Sequence, residues 1–366
     1  MDAIKTKKDD QIDLTTKHLG YNQLYRFEDG LELRNAFALA PLDLRLALYD
    51  GTVSQNDIAF HQIHARQVGL DIVGSAYVQE NGRTRAGALS VATDEMIPGL
   101  RQLATTIHRQ GAKAILQLSH AGIRARPTFG KQLVGPSERY QVQAMDVEQI
   151  VALAQSFGEA TRRAVQAGFD GVELQGANRF LLQQFVSPIT NQRIDDFGGS
   201  LENRLRVPLL IARTVLQIAK RCPRPFLVGY RVSPEELSKR GMTVTDTLVL
   251  ARLLEKMEVD YLSLSLHRYD QVAQTYDGKT PVSQLFTQQL KNLPVMVAGK
   301  IETSDDLEKL AQGVSLIATG RATIVNPSWP IQQKKLTSSE IEQGLDAQKL
   351  IISSQVRQAI TDGLGR

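Results

Sequence analysis

Eight short apolar segments recur along the chain, each followed by a longer amphipathic stretch or a polar loop. Apolar runs of about four to eight residues without polar alternation are typical of β-strands covered on both faces, as in a parallel sheet. The segments are residues 36–40, 70–77, 112–118, 171–174, 226–232, 259–266, 293–298 and 314–319. This repetition constrains the fold most, because parallel strands need crossover connections, usually helices.

The stretches between the apolar segments carry helix start and stop signals. Ser54 precedes one amphipathic pattern that ends at Gly69, and Asp146 precedes another that ends at Gly168. Similar patterns span residues 93–111 and 303–313. Ser, Thr and Asp cap the start of helices, and Gly commonly ends them. We therefore predict an α/β fold, a single-domain (β/α)8 TIM barrel.

The alternative architecture is an open, doubly wound parallel sheet. Such a sheet favours a glycine-rich turn after its first strand, and residues 40–45 contain no glycine. The barrel is therefore the better interpretation. We expect it to span residues 1–330, including an N-terminal extension, and residues 331–366 to form a helical segment that packs on the barrel.

Composition excludes several classes of protein. The chain has 366 residues, of which 42% are hydrophobic and 22% charged, as in ordinary globular proteins. No apolar run reaches the roughly 18 residues of a membrane-spanning helix, and residues 1–10 lack the apolar core of a signal peptide. The net charge of +4 is too small to indicate nucleic acid binding. We expect a cytoplasmic protein, since its one cysteine, Cys222, cannot form an internal disulfide.

Barrel chemistry is expected in the loops after the strands. Gly299-Lys300 and Gly320-Arg321 follow the seventh and eighth predicted strands, where barrels often bind phosphate. Glycine lets the backbone approach an anion closely, and Lys or Arg supplies charge. The alternative is that these are ordinary turn glycines beside solvated cations.

Two polar side chains stand at the ends of other strands and suit the ring of a cofactor. Gln117 offers both a donor and an acceptor, as the edge of a heterocycle requires. Arg231 ends an otherwise apolar strand and would be buried unless it met an anion. Both fit an isoalloxazine pyrimidine ring, which becomes negative on reduction. For Arg231, a structural ion pair is the alternative.

The most distinctive stretch of the chain comprises residues 168–173, 175–182, 184–188 and 191–204. It resembles the long signature of the old yellow enzyme family, the FMN-dependent NADH:flavin oxidoreductase/NADH oxidase barrels. Shorter matches occur at residues 40–42, 117–122, 135–137, 231–233, 298–301 and 320–321. The resemblance covers about residues 22–330.

The resemblance implies that FMN is the cofactor and that NADH or NADPH donates hydride to it. The acceptor would be a small molecule: an activated alkene, a quinone or dioxygen. By the same resemblance, the pyrimidine end would meet Gln117 and Arg231. The flavin would be lined by Ala40, Pro41, Leu42 and Ser75, and its phosphate would be held by Gly299, Lys300, Gly320 and Arg321.

The chain departs from the family pattern after the fourth strand. Where the family usually has His-x-x-His or His-x-x-Asn to bind a substrate carbonyl oxygen, this chain has Gln175 and Asn178, whose amides can still donate to oxygen. The usual tyrosine proton donor is Phe180, which has no proton to give. Asp43 replaces a usual Thr or Cys beside the flavin, and Arg179 replaces a small residue. Asp43 is expected to be protonated, or paired with Arg45 or Arg179.

Other interpretations stay open at this stage. The protein could use its flavin as an NADH oxidase or quinone reductase, without reducing alkenes, or be a non-catalytic barrel that binds FMN and a ligand. His120 is either catalytic or packed beside the flavin, and His61 and His64 lack a third metal ligand, so we expect no metal. Trp329 and residues 345–364 suggest a C-terminal helical cap or the interface of a homo-oligomer.

Overall fold

The computed structural model describes residues 20–126, 132–310, 312–347, 351–352, 354 and 357–358. Eight parallel strands form a closed barrel, because the first strand pairs with both the second and the eighth. The strands are β1 (Phe37–Leu39), β2 (Leu70–Tyr77), β3 (Lys113–Ser119), β4 (Gly171–Gly176), β5 (Leu227–Val232), β6 (Tyr261–Ser265), β7 (Val295–Ala298) and β8 (Val314–Thr319). The predicted barrel is confirmed, and each predicted strand end lies within two residues of the observed one.

Helices surround the barrel and connect its strands. They are α1 (Gln55–His64), α2 (Ile97–Arg109), α3 (Val147–Ala167), α4 (Leu181–Val186), α5 (Leu201–Ala219), α6 (Val244–Lys256), α7 (Val282–Gln289), α8 (Ser304–Glu308), α9 (Arg321–Val325), α10 (Trp329–Gln332) and α11 (Ser338–Ala347). In the part of the chain that the structure describes, no helix is long and apolar enough to cross a membrane.

Capping chemistry sets several of the helix boundaries. The Ser54 and Asp146 side chains accept hydrogen bonds from the first turns of α1 and α3, and both helices have a complete capping box. Gly168 ends α3 in the left-handed conformation, with φ of 90°. The helix predicted over 303–313 is wrong in length, because α8 ends at Glu308 although its Thr303 cap is present.

The barrel has a filled interior and one closed end. Small and medium side chains from alternate strand positions fill it, including Ala38, Ile72, Ile115, Met296 and Leu316. A two-stranded hairpin of Tyr25–Arg26 and Glu32–Leu33 covers the end where the strands begin. Its Phe27 ring lies 6.3 Å from that of Tyr261. Among the described residues, the hairpin leaves the opposite end, where the strands finish, to receive a ligand.

The chain after the last strand packs on the barrel. Trp329 is fully buried, and its indole N–H donates to the Glu302 carbonyl oxygen at 2.8 Å. Helix α11 contacts α9, and Leu345 on it is buried. Most of the predicted 345–364 region lies outside the described residues.

Candidate functional site

Polar side chains gather inside the barrel where the strands end. Strand register places Gln117 of β3 opposite Glu173 of β4, and Arg231 of β5 opposite Gln175 of β4. These positions alternate with outward-facing apolar residues, so all four side chains point into the barrel. Each is less than 9% exposed. The arrangement forms a polar layer on an otherwise apolar interior.

Arg231 is buried, and its hydrogen-bond partners in the described chain are neutral hydroxyl groups. Its guanidinium donates to the hydroxyl of Ser263 at 3.3 Å and to that of Ser265 at 3.1 Å, and its Nε has no hydrogen-bond partner among the described residues. It forms no ion pair within 4 Å in the described chain. Burial lowers the pKa of Arg231, and the nearby Glu173 partly opposes this shift. The geometry favours an incoming anion over the structural ion pair.

Glu173 is the site residue that sequence reasoning missed. Its Oε1 accepts a hydrogen bond of 2.6 Å from Gln117 Nε2, and its Oε2 is buried without a partner among the described residues. Burial raises the pKa of the Glu173 carboxyl, whereas Arg231 and Gln117 lower it. The available signal was a charged residue inside the buried segment 171–174.

A pocket of about 180 Å³ opens beside the ends of β7 and β8. Its lining includes Ala40, Leu42, Arg231, Gly299, Lys300, Glu302, Gly320 and Arg321. Neither Lys300 nor Arg321 forms an ion pair within 4 Å with a described residue. Burial raises the pKa of the Glu302 carboxyl, while Lys300 and Arg321 lower it. The positive charges of Lys300 and Arg321 would attract a phosphate, whereas a negative charge on Glu302 would repel it.

The structure constrains the two glycines of the predicted phosphate site, Gly299 and Gly320, in different ways. A Cβ on Gly299 would lie 2.9 Å from backbone atoms of the 268–269 segment, so packing alone requires glycine there. A Cβ on Gly320 would meet Leu42 at 3.5 Å and Ala40 at 4.0 Å, which are ordinary contacts, so packing does not require glycine there. Gly320 lines the pocket, and its lack of a side chain lets a ligand such as the FMN phosphate approach the backbone closely.

A second, narrow pocket of about 30 Å³ lies between the ends of β1 and β2. Ala40, Leu42, Asp43 and Ser75 line it, whereas Pro41 lies between two of its lining residues in the chain. The surrounding protein raises the pKa of the Asp43 carboxyl, although the side chain reaches solvent.

The cations that act on Asp43 differ in part from those expected. Arg45, Arg85 and Arg124 each lower its pKa, whereas the expected effect of Arg179 is not found. Arg179 lies on the loop after β4, where its backbone N–H donates to Gln183. The partners of Asp43 therefore come from the loops after the first three strands.

The two amides expected to bind the acceptor occupy different settings. Gln175 is 5% exposed, and its side-chain oxygen is buried without a partner in the described chain. Asn178 is exposed, and its Oδ1 accepts from Ser265 at 3.2 Å, which leaves its NH₂ group available to an oxygen atom. Ser265 also binds Arg231, so Asn178 is linked to the polar layer.

Phe180 packs in a small apolar cluster rather than in a polar pocket. It contacts Ala121, Ala125 and Leu133, and it is 9% exposed. The Arg124 guanidinium lies 5.9 Å from its ring centroid and also binds the Asn178 carbonyl oxygen. No titratable proton is available at position 180.

The histidines highlighted by the sequence are buried. His120 Nδ1 accepts from the Gly122 N–H and Nε2 bonds to Asn81 Oδ1, both at 3.1 Å, and burial lowers its pKa to about 3. His61 binds Asp71 at 2.8 Å, and His64 lies between two carbonyl oxygens. Among the described residues, no three metal-ligating side chains gather.

Comparison with known proteins identifies relatives. The model of the NADH:flavin oxidoreductase / NADH oxidase family matches residues 27–340. The chain is 37% identical over 355 residues to the probable NADH-dependent flavin oxidoreductase YqiG of Bacillus subtilis, covering 93% of this chain and 95% of that protein. It is 36% identical to the NADH:fumarate oxidoreductase of Klebsiella pneumoniae, covering 84% of this chain but only 35% of that longer protein.

Solved structures support the fold. The old yellow enzyme homologue from Zymomonas mobilis superposes with a TM-score of 0.74 at 22% identity, covering 87% of this chain and 95% of that one. Morphinone reductase superposes with a TM-score of 0.72 at 23% identity, covering 88% and 92%. The family predicted from sequence is confirmed, and the relatives give no support to a non-catalytic barrel. The chain belongs to the NADH:flavin oxidoreductase / NADH oxidase family and is an FMN-dependent oxidoreductase that takes hydride from a reduced nicotinamide.

Proposed function

We propose that FMN lies across the open end of the barrel, with its pyrimidine edge against Gln117 and Arg231. The observation that carries this placement is the unpartnered Nε of Arg231, which is buried beneath the opening. Because Gln117 donates to Glu173, its amide oxygen is left to accept from a ring N–H. A fixed guanidinium at this edge favours the negative charge of the reduced ring.

The phosphate of FMN is proposed to lie in the pocket at the ends of β7 and β8. Lys300 and Arg321 would neutralise it, and Gly320, which has no side chain, would let it approach the backbone. Gly299 contributes through packing, because a side chain there would meet the 268–269 backbone. Ala40, Pro41, Leu42 and Ser75 would line the ring on the side of β1 and β2.

The acceptor is proposed to bind above the ring, held by Gln175 and Asn178. The bound cofactor supplies two-electron chemistry between the nicotinamide and the acceptor. The two amides donate hydrogen bonds to an acceptor oxygen, which orients the acceptor and stabilises charge on that oxygen. Phe180 supplies no proton, so we expect quinones or dioxygen to be better acceptors than simple enones.

The test compares the parent protein with Arg231→Met and Arg231→Lys. The purified parent is expected to be yellow, with one FMN per chain released on denaturation. Arg231→Met should lower the flavin reduction potential and slow anaerobic reduction by NADH and NADPH, because the reduced ring loses a cation. Arg231→Lys keeps the charge and should restore part of the potential. Equal potentials in all three proteins would assign Arg231 a purely structural role.

The domain division, location and assembly are further proposals. Residues 1–330 are proposed to form the FMN-binding barrel, and residues 331–366 a helical segment on its surface, supported by the contact between α11 and α9. Reduced nicotinamide and a free Cys222 suit a reducing compartment, and we propose the cytoplasm. A homo-oligomer stays a prediction, which the sedimentation rate of the purified protein would test.

A further inference from the structure

An open cavity of about 960 Å³ lies beside the proposed acceptor site. Asn178 is one of its lining residues, which places the cavity next to the polar layer through Ser265. Its volume lies at the upper end of the range of about 300–1000 Å³ that is typical of small-molecule pockets, so it can hold an extended ligand. Nothing in the proposed roles of Gln175 and Asn178 requires so large a space.

Three arginines from separate segments line this cavity: Arg124, Arg139 and Arg179. Arg124 follows β3, Arg139 lies on the long excursion after it, and Arg179 follows β4. All three are exposed, and none forms an ion pair within 4 Å with a described residue. Three exposed guanidinium groups on one wall attract anions, although Asp43 offsets part of the charge of Arg124.

The hydrogen bonds of these arginines leave their charge in place. Arg124 donates to the Asn178 carbonyl oxygen, and Arg139 donates to the Ile189 carbonyl oxygen at 2.5 Å. Both acceptors are neutral. These contacts orient two guanidinium groups on the cavity wall, and their remaining N–H groups are available to a ligand.

The two carboxylates that line the cavity, those of Glu235 and Glu236, accept hydrogen bonds from neighbouring loops. Glu235 accepts from the backbone N–H groups of Gln274 and Thr275 at 3.0 and 2.8 Å. Glu236 accepts from Gln183 and from the Ser187 hydroxyl at 2.9 and 2.6 Å. These bonds hold both carboxylates to their neighbouring loops, and neither forms an ion pair within 4 Å with Arg124, Arg139 or Arg179 among the described residues.

We propose that Arg124, Arg139 and Arg179 form an anion-binding wall that holds a phosphate or carboxylate of a reactant entering the barrel mouth. This inference rests on the proposed function, since it assigns a reactant to the space beside Gln175 and Asn178. The anion has two sources: the phosphates of the nicotinamide donor, or a carboxylate carried by the acceptor. Planar guanidinium groups bind both through paired hydrogen bonds.

The test uses the FMN-loaded protein with Arg139→Glu/Arg179→Glu, and Arg139→Gln/Arg179→Gln as a milder pair. Arg124 is left intact because it contacts Asn178. Arg109→Glu is the matched control, since Arg109 ends α2 at the opposite end of the barrel. Binding of inorganic pyrophosphate is measured by calorimetry at low and high salt. We expect the Kd of the double Glu variant to rise about tenfold or more, and the control to match the parent.

Paired charged and neutral reactants distinguish the two sources. NADH is compared with neutral 1-benzyl-1,4-dihydronicotinamide as donor, and fumarate with dimethyl fumarate as acceptor. If the double variants need more NADH than the parent for half-saturation, and fumarate is unaffected, the wall binds the phosphates of the donor. If they need more fumarate, and NADH is unaffected, the wall binds a carboxylate of the acceptor. Either result supports the wall, and added salt should reduce the difference.

Two outcomes separate failure of the wall from failure of the proposed function. The anion-binding wall is overturned if both double variants bind pyrophosphate as the parent does and have the parent's half-saturating concentrations for NADH and fumarate. This holds even if the enzyme is active. A parent protein that neither donor reduces would overturn the proposed function, while the pyrophosphate titration would still report on the wall. Equal losses with the charged and neutral reactants would also overturn the wall, because they would indicate a general structural effect.

Discussion

Gln117 Nε2 donates a hydrogen bond of 2.6 Å to Glu173 Oε1 between neighbouring strands inside the barrel. Because the two residues are register partners on β3 and β4, the backbone itself holds them together. The bond fixes which end of the Gln117 amide faces the barrel mouth. It also brings a carboxyl group near Arg231, so the charge state of Glu173 bears on the field at the proposed flavin edge.

The first prediction concerns that charge. Glu173→Gln keeps the shape and an oxygen for Gln117, but it removes a negative charge near Arg231. The reduced flavin should then be stabilised, and its potential should rise by about 30 mV, which equals about 1.4 kcal/mol for a two-electron couple. Spectroscopic titration with a reference dye measures it. If Glu173→Gln has the same potential as the parent at every pH between 6 and 9, Glu173 carries no charge in the folded protein.

The second prediction concerns the pocket at the ends of β7 and β8. Arg321→Glu should weaken FMN binding about tenfold or more, because it places a carboxylate near the phosphate. Glu302→Gln should tighten binding, since it removes a carboxylate that lines the same pocket. The fluorescence of released FMN measures both dissociation constants. If both variants retain FMN like the parent, the phosphate does not bind in this pocket.

The third prediction concerns the missing proton donor. Phe180→Tyr should raise the turnover of simple enones at least about tenfold, because general acid catalysis is typically worth about 10²–10⁴ in rate. Reduction by NADH should hardly change, and this half-reaction is the internal control. Phe180→Leu, which removes the ring and adds no hydroxyl, should not raise turnover. Rapid cyclohexenone reduction by the unaltered protein would show that another group donates the proton.

The fourth prediction concerns stability in acid. Burial lowers the pKa of His120 to about 3, below its ordinary value of 6.5, so the folded protein holds this ring neutral. The contribution of the neutral ring to the free energy of unfolding is fully present above pH 6.5. It is lost as the pH falls towards 3, because the unfolded chain binds the proton more tightly. The loss amounts to about 1.4 kcal/mol for each pH unit in that window.

Urea unfolding between pH 7 and 4 measures this loss. His120→Asn keeps an acceptor for the Gly122 N–H and removes the titration, so its stability should depend less steeply on pH. His267→Asn changes an exposed histidine and should leave the slope unaltered. A parent-like slope for His120→Asn would attribute the acid sensitivity to other groups, such as His64, whose pKa burial lowers to about 4.

Local patterns were sufficient for the elements of the fold. The eight apolar segments predict the strands because burial on both faces demands apolar residues at consecutive positions. The limits of α3 follow from Asp146 and Gly168, whose capping bonds lie within a few residues of the helix ends. The length of α8 could not be read in this way, because its pattern continues past Glu308 while the helix does not.

Periodicity, helix caps and motifs are local in the chain, so they were enough to predict the barrel, its family and the residues at the strand ends. Which of those residues meet depends on the folded barrel. Gln117 and Glu173 are 56 residues apart and become partners through strand register. Arg124 reaches Phe180, and Gly299 is small because a distant loop packs on it. Such contacts depend on how closed strands align, which no local pattern encodes.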